Sequence, residues 1–218
     1  MQTKYFNRAS EQHEHVVASQ FLSVIERLQA VGDTVVSRVT EQRPVIEEWE
    51  QFPESEQEDL QTGYRYYYHS HACPGSLGEH GHFHLFKRVA DGDEPEAFTH
   101  LLAIGVSHTG FPVRFFCTNT WVTGETTVSS KVATQLTHEF IVQRDEKMVL
   151  VAEWISKALM LFTVEVTQLF ALRDRRRATL AARRQGFEND RRTTRIAEVR
   201  VDVMQKINEI ESGNRGVH

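Results

Sequence analysis

Between residues 12 and 30 the apolar positions Val16, Val17, Phe21, Val24, Ile25 and Leu28 recur every three or four residues. That spacing marks one stripe of an α-helix that must be buried. Gly32 and Asp33 interrupt the stripe, and a second helical stretch follows Thr34. Pro44 then opens a short turn of helix in "PVIEEWE", proline being tolerated in a first turn where its missing N–H has no partner to lose. "QFPESEQEDLQTG" reads as a polar loop.

Beyond it the period changes to two. "YRYYYHSHA", "GHFHLFKRV", "FTHLLAIGVS", "PVRFFCTN" and "LTHEFIV" are separated by Gly, Pro and Asp turn signals and predict a meander of about five strands. After Arg144, "DEKMVLVAEWISKALMLFTVEVTQLFALRDRRR" is too long and apolar for an exposed helix and is expected to pack across the sheet. A weaker helix follows Asn189, and Asp202 is placed to cap another over "VMQKINEIE". The expected fold is α+β: a mostly antiparallel meander sheet covered by N- and C-terminal helices. One domain over 1–218 accommodates it, with N-terminal helices in 1–50, a histidine-rich sheet in 64–142 and C-terminal helices in 145–212.

Composition agrees with this picture. A chain of 218 residues, 40% hydrophobic and 25% charged, can bury one sizeable core. The start "MQTKYFNRASEQHEH" has no basic segment followed by an apolar run, and charge interrupts the longest apolar stretches, so a cytoplasmic, non-membrane protein is expected. Cys73 and Cys117 are too few for a disulfide framework or zinc ribbon and are expected to be free thiols. Trp154 and the apolar series from Leu159 to Phe170 read as core, as do Tyr64, Tyr66 and Tyr68.

Net charge is −5 and unevenly spread: residues 41–62 hold eight acids and one base, whereas residues 173–200 hold ten arginines and four acids. Such an arginine cluster could attract nucleic-acid phosphates. Few aromatic residues accompany it, so a solvated helix face or an intramolecular partner for the acidic segment is favoured and nucleic acid is disfavoured as a partner. An interaction module using the arginine-rich region is the non-enzymatic alternative. Ile196, Val199, Val203 and Ile210 fall short of a sustained heptad pattern, although the C-terminal helices offer a route to a homodimer.

The chemistry concentrates in "GEHGHFHLF", because seven of the eleven histidines lie between 69 and 108. Residues i and i+2 of a strand share a face, so His69 pairs in direction with His71, and His80 with His82 and His84. A connection centred on Gly75 and Ser76 sets His71 opposite His80, His69 opposite His82 and Tyr67 opposite His84, with opposed Cβ atoms about 5 Å apart. The next turn allows His100 to face His84. A slip of one residue would separate the sets. Imidazoles so placed suit a divalent transition metal, zinc or iron, with a position left open for a small-molecule ligand or water. Metal ligands are therefore sought among His69, His71, His80, His82, His84 and His100. Glu125 could serve as a carboxylate ligand or general base and Asn119 could orient a bound group. A ladder of neutral histidines hydrogen-bonded under the long helix is the alternative without metal.

Four family patterns bear on this segment. "YYYHSH", "GEHGHFHLF", "TNTWVTGE" and "LRDRR...FENDRR" are similar to a bacterial family described as a domain of unknown function, over most of the chain from about Trp49 onward. That likeness implies one domain and no activity. "HGHFHLF" resembles the histidine triad of nucleotide hydrolases and transferases, which implies His82 as nucleophile on a phosphate with His80 and His84 in support, though Gly81 stands where that motif has a hydrophobic residue. The cupin pattern fails, since Lys87 and Arg88 stand where a glutamate would follow His84. The His-hydrophobic-His element of single-strand nucleases fails too, because every tyrosine lies at Tyr68 or earlier.

Overall fold

A computed structural model describes residues 2–43, 47, 50–70, 78–89, 97–124, 126–143 and 145–213, with the backbone alone for 2–11. Helix α1 (Gln2–Ala30) carries the apolar stripe inward: Val17, Phe21, Val24, Ile25 and Leu28 are buried, while Val16 faces solvent. Gly32, at φ +77°, ends it, and Thr34 caps α2 (Val35–Val39) in a reciprocal capping box with Ser37. The helical turn expected from Pro44 lies outside the described residues.

Six strands follow, β1 (Gln51–Glu58), β2 (Tyr64–Ser70), β3 (Glu79–Arg88), β4 (Phe98–Ser107), β5 (Pro112–Thr118) and β6 (Arg195–Arg200), antiparallel and in sequence order across one sheet. Between β5 and β6 lie α3 (Thr120–Thr123), α4 (Ser130–His138), α5 (Val149–Leu161) and α6 (Thr163–Arg183), and α7 (Val203–Glu211) closes the chain. The α+β architecture and meander expected from the periodicity are present. No described helix is long and apolar enough to cross a membrane.

Four element assignments differ from those expectations. The polar tract after residue 50 is not a loop but the edge strand β1, where Phe52 and Gln57 are buried. An edge tolerates Pro53, because one side of the strand needs no ladder donor; Glu56 pairs with Arg65 of the adjacent β2 and Glu58 with Arg88 at the end of β3. "LTHEFIV" is not a strand: Ser129 caps Val132, and helix α4 runs through its first residues with Ala133 and Thr137 inward. The helix expected after Asn189 is instead β6, which pairs with β5, so Ile196 and Val199 belong to a sheet rather than a heptad stripe. The long apolar segment is two helices broken at Phe162 (φ −106°, ψ 31°), whose ring packs on Phe115. Asp202 caps α7 as its position implies.

The apolar core of the helices packs against one side of the sheet. Tyr64, Tyr66, Tyr68, Phe83, Leu85, Leu102, Ile104, Val106, Phe115, Cys117 and Ala197 point into a core shared with Phe21, Trp154, Leu169 and Phe170. Trp154, fully buried, stacks at an angle on Phe83 and Phe21 with ring centroids 5.7 and 6.1 Å away. The alternating residues of β2 and β3 therefore project from the opposite face. His69, His82 and His84 belong to that face, not under the long helix.

Candidate metal centre

The first hairpin has the register expected of it: His69 pairs with His82 and Tyr67 with His84. His69, His82 and His84 converge. One ring nitrogen from each lies within 4.8 Å of the others. Ring centroids are 4.2 Å apart for His69 and His82, and 4.7 Å for His82 and His84. His82 and His84 are buried, screened by Tyr67 at 5.0 Å from His84 and Phe116 at 5.0 Å from His82.

Two single-residue bulges decide what joins them. In β4, Leu85 pairs with Leu102 but Phe86 pairs with His100, so Leu101 is an extra residue. An unbroken ladder would set His100 opposite Lys87, on the helical face; the inserted residue turns it onto the histidine face. There its Nε2 stands 3.0 Å from Nδ1 of His84, although its cross-strand partner is Phe86 rather than His84. In β3, Glu79 pairs with Ser107 and Gly81 with Val106, which makes His80 the extra residue. Glu79 thereby takes the place on the histidine face that alternation assigns to His80.

The displaced His80 turns to the helical side, where Nδ1 meets the hydroxyl of Tyr68 and the ring lies 4.6 Å from that of His108. Gly81 permits the crossing. A Cβ there would stand 2.3 Å from the carbonyl oxygen of His69 and 2.5 Å from the Tyr68 hydroxyl. His80 is thus not brought into the cluster, and the row His80, His82, His84 that a histidine triad needs is not assembled.

Glu79 completes the cluster from behind. Its Oε1 lies 3.1 Å from His82 Nδ1, and Arg114 donates to both carboxylate oxygens, from Nη2 at 2.9 Å and from Nε. Arg114 also donates to Glu198 at 2.7 Å. Gly105, opposite His82, leaves the space: a Cβ there would come within 2.5 Å of Glu79 Oε2. Glu79 was missed in the sequence because regular alternation sends it to the wrong face; the glycine inside a strand pattern was the available signal for a bulge.

Glu79, held by two N–H groups of Arg114, accepts from His82 Nδ1–H, and His82 Nε2 faces His84. From there the ring nitrogens form a chain: His82 Nε2 to His84 Nε2 at 3.0 Å, His84 Nδ1 to His100 Nε2 at 3.0 Å, and His100 Nδ1 to Thr118 Oγ1 at 3.2 Å. Burial, with Arg173 adding to it, pushes His100 down to about 3, so this ring is neutral near pH 7.

Other expectations resolve otherwise. His71, Cys73 and Glu125 lie outside the described residues. Asn119 is fully buried and orients backbone: its amide donates to Phe187 O and its oxygen accepts from Thr120 N–H. Cys117 is a buried free thiol. Among the described residues of the C-terminal region, Arg184 and Arg192 pair with Asp190, and Arg195 with Glu198.

The fold and site together define an α+β protein with a half-shielded imidazole cluster on one face of an antiparallel sheet. The chain belongs to the family described as "Domain of unknown function (DUF6969)", whose model matches residues 15–201. Neither the curated proteins nor the solved structures contain a significant match.

Proposed function

We propose that His69, His82 and His84 hold a divalent transition metal ion, zinc or iron, and that the protein is a metalloprotein with a centre of the catalytic kind. The convergence of these three rings carries the reading. Three imidazoles about a tetrahedral ion, each bound at roughly 2.0–2.1 Å, have nitrogens roughly 3.3 Å apart. The 3.0 Å between the two Nε2 atoms matches that spacing, and side-chain rotation of roughly 1–1.5 Å brings in the third nitrogen. Three protein ligands leave a fourth position for water or a small molecule, as catalytic rather than structural zinc sites do.

The surrounding chain supports this without needing a change of charge. With a metal bound, Nε2 of His84 must give up its hydrogen bond to His82 and offer a lone pair. His84 then carries its proton on Nδ1 and donates to His100 Nε2, which in turn donates from Nδ1 to Thr118. A hydroxyl accepts or donates equally well, so His84 and His100 change tautomer together while His82 keeps its proton on Nδ1. A bound ion would polarise a water or carbonyl oxygen as a Lewis acid.

Elemental analysis of protein purified without a histidine tag tests the proposal. About one equivalent of metal per chain is expected, falling to background in His82→Ala and His84→Ala. A metal-free wild type that takes up neither zinc nor ferrous iron on titration would end it.

A further inference from the structure

Residues 173–200 hold ten arginines against four acids, in a chain whose net charge is −5. Each of those acids is already engaged. Asp174 pairs with Arg173, Glu188 with Arg177, Asp190 with both Arg184 and Arg192, and Glu198 with both Arg114 and Arg195. Arg175, Arg176, Arg183 and Arg191 are exposed and have no ion pair with a described acid.

The fold gathers these charges and adds what the segment lacks. Arg184 is tied to Asp190, and the Arg177 guanidinium lies 5.3 Å from the centre of the Phe187 ring, so the turn after α6 folds back on the end of that helix. Arg176 and Arg183, seven residues apart in α6, share a helix face and stand about 10 Å apart along the axis. Aromatic residues are scarce within the segment, but Trp121 reaches it from α3. Its indole N–H donates to Thr193 O at 2.9 Å, and the Arg191 guanidinium lies 5.9 Å from the centre of the half-buried ring. Asn119 fixes this junction: its backbone N–H donates to Thr194 O at 2.8 Å and its side-chain amide to Phe187 O at 2.9 Å.

We propose that this surface binds single-stranded nucleic acid, with Arg175, Arg176 and Arg183 on the phosphates and Trp121 with Arg191 as the platform for an unpaired base. Guanidinium groups free of acidic partners neutralise phosphates and release their counterions. A base stacks on an indole ring or a guanidinium plane with little regard to sequence. A duplex keeps its bases inside the stack and an anionic membrane has none, so both would use the charges alone; the platform favours the single strand. Composition disfavours nucleic acid only for want of aromatic residues, and the fold supplies one from a distant part of the chain. The inference uses none of the side chains of the metal centre.

Fluorescence anisotropy of the full chain tests it, with EDTA present and a fluorescein-labelled oligothymidylate covering one site of about 16 nucleotides. Saturable binding is expected, with log affinity falling against log salt at a slope of about −2 for three neutralised phosphates. The double variant Arg176→Gln/Arg183→Gln should bring the slope to about −0.7 and weaken binding about tenfold at low salt. Trp121→Leu should weaken binding about fivefold with the slope unchanged; where that variant fails to fold, the exposed arginine pair carries the test. Arg200→Gln, exposed at the far end of β6, removes one charge outside the surface and should leave affinity within about twofold. No saturable binding, an unchanged slope in the double variant, weakening by Arg200→Gln as large as that of the double variant, equal affinity for a duplex of the same length, or preference for phosphatidylserine vesicles over the oligonucleotide each overturns the assignment.

Discussion

The sharpest consequence of the site concerns a residue that is not itself a proposed ligand. Replacing Glu79 by Gln keeps size and shape but leaves one oxygen where Arg114 and His82 require two. If that oxygen serves Arg114, the new NH2 faces His82 Nδ1, which must then accept, and the ring proton moves to Nε2, the atom that would ligate. If the oxygen serves His82, the NH2 points at a guanidinium group that can only donate. Either arrangement opposes metal binding. Removing such a supporting carboxylate typically weakens a metal site 10–100-fold, or about 1.4–2.7 kcal/mol.

Competition against a chromophoric chelator, with untagged protein, measures the change. Stability falls in the same variant, because Arg114, only 13% exposed, keeps Glu198 as its one acidic partner among the described residues; affinity is therefore compared well below each protein's Tm. Glu198→Gln supplies the control: it loosens Arg114 without touching His82 and is expected to change affinity less than about threefold, well under the loss for the carboxylate that holds His82 Nδ1. Equal affinity in Glu79→Gln and wild type, alongside complete loss in His82→Ala, would refute the positioning role while leaving the ligand set intact. Equal losses in Glu79→Gln and Glu198→Gln would show that general destabilisation, not the tautomer of His82, is being measured.

Further outcomes follow from neighbouring features. Gly81→Ala forces a Cβ against the backbone of His69 and the Tyr68 hydroxyl, and thermal denaturation should show a loss of about 1–3 kcal/mol with weakened metal uptake, since β2 must move. Asp59 shows the pH dependence of the fold: burial pulls its pKa up, but N–H donors from Thr62, Gln143 and Gln61 outweigh that and hold it below the ordinary value of 3.8. A depressed folded pKa means stability present above the unfolded value and lost as pH falls through the folded one. Asp59→Asn is thus expected to cost about 1–3 kcal/mol at pH 7, and urea titrations should show that gap closing below about pH 4; a constant gap would contradict it. Trp154→Ala, at the centre of the helical core, should cost about 3–5 kcal/mol in the same assay.

Much of this protein is legible wherever one period runs undisturbed. The 3.6-residue stripe of Val17, Phe21, Val24 and Leu28 and the alternation of Tyr64, Tyr66 and Tyr68 each place their residues on the face that the structure buries. The hairpin register needed only a central turn and two strands of equal alternation, and His69 meets His82 as anticipated. Legibility fails where tertiary context outweighs local pattern. β1 and β6 are edge strands, with polar and charged residues paired to their neighbours' arginines and glutamates, so their composition resembles a loop or an exposed helix. α4 borrows an apolar end that also suits a strand, and only the cap at Ser129 distinguishes them.

The site itself is the place where alternation is broken on purpose. A strict period of two would put His80 beside His82 and leave Glu79 and His100 on the helical face. Two inserted residues, His80 in β3 and Leu101 in β4, exchange those positions, and two glycines, Gly81 and Gly105, make room for the exchange. The result trades an imidazole for a carboxylate behind His82 and adds a neutral imidazole behind His84. A purely structural ladder would gain nothing from that trade, because hydrogen-bonded histidines need no buried Glu79–Arg114 pair, and burying such a pair carries a desolvation penalty that often exceeds its attraction. The arrangement becomes economical when His82 and His84 must both offer lone pairs toward one point, since each then has a fixed acceptor for its other ring proton.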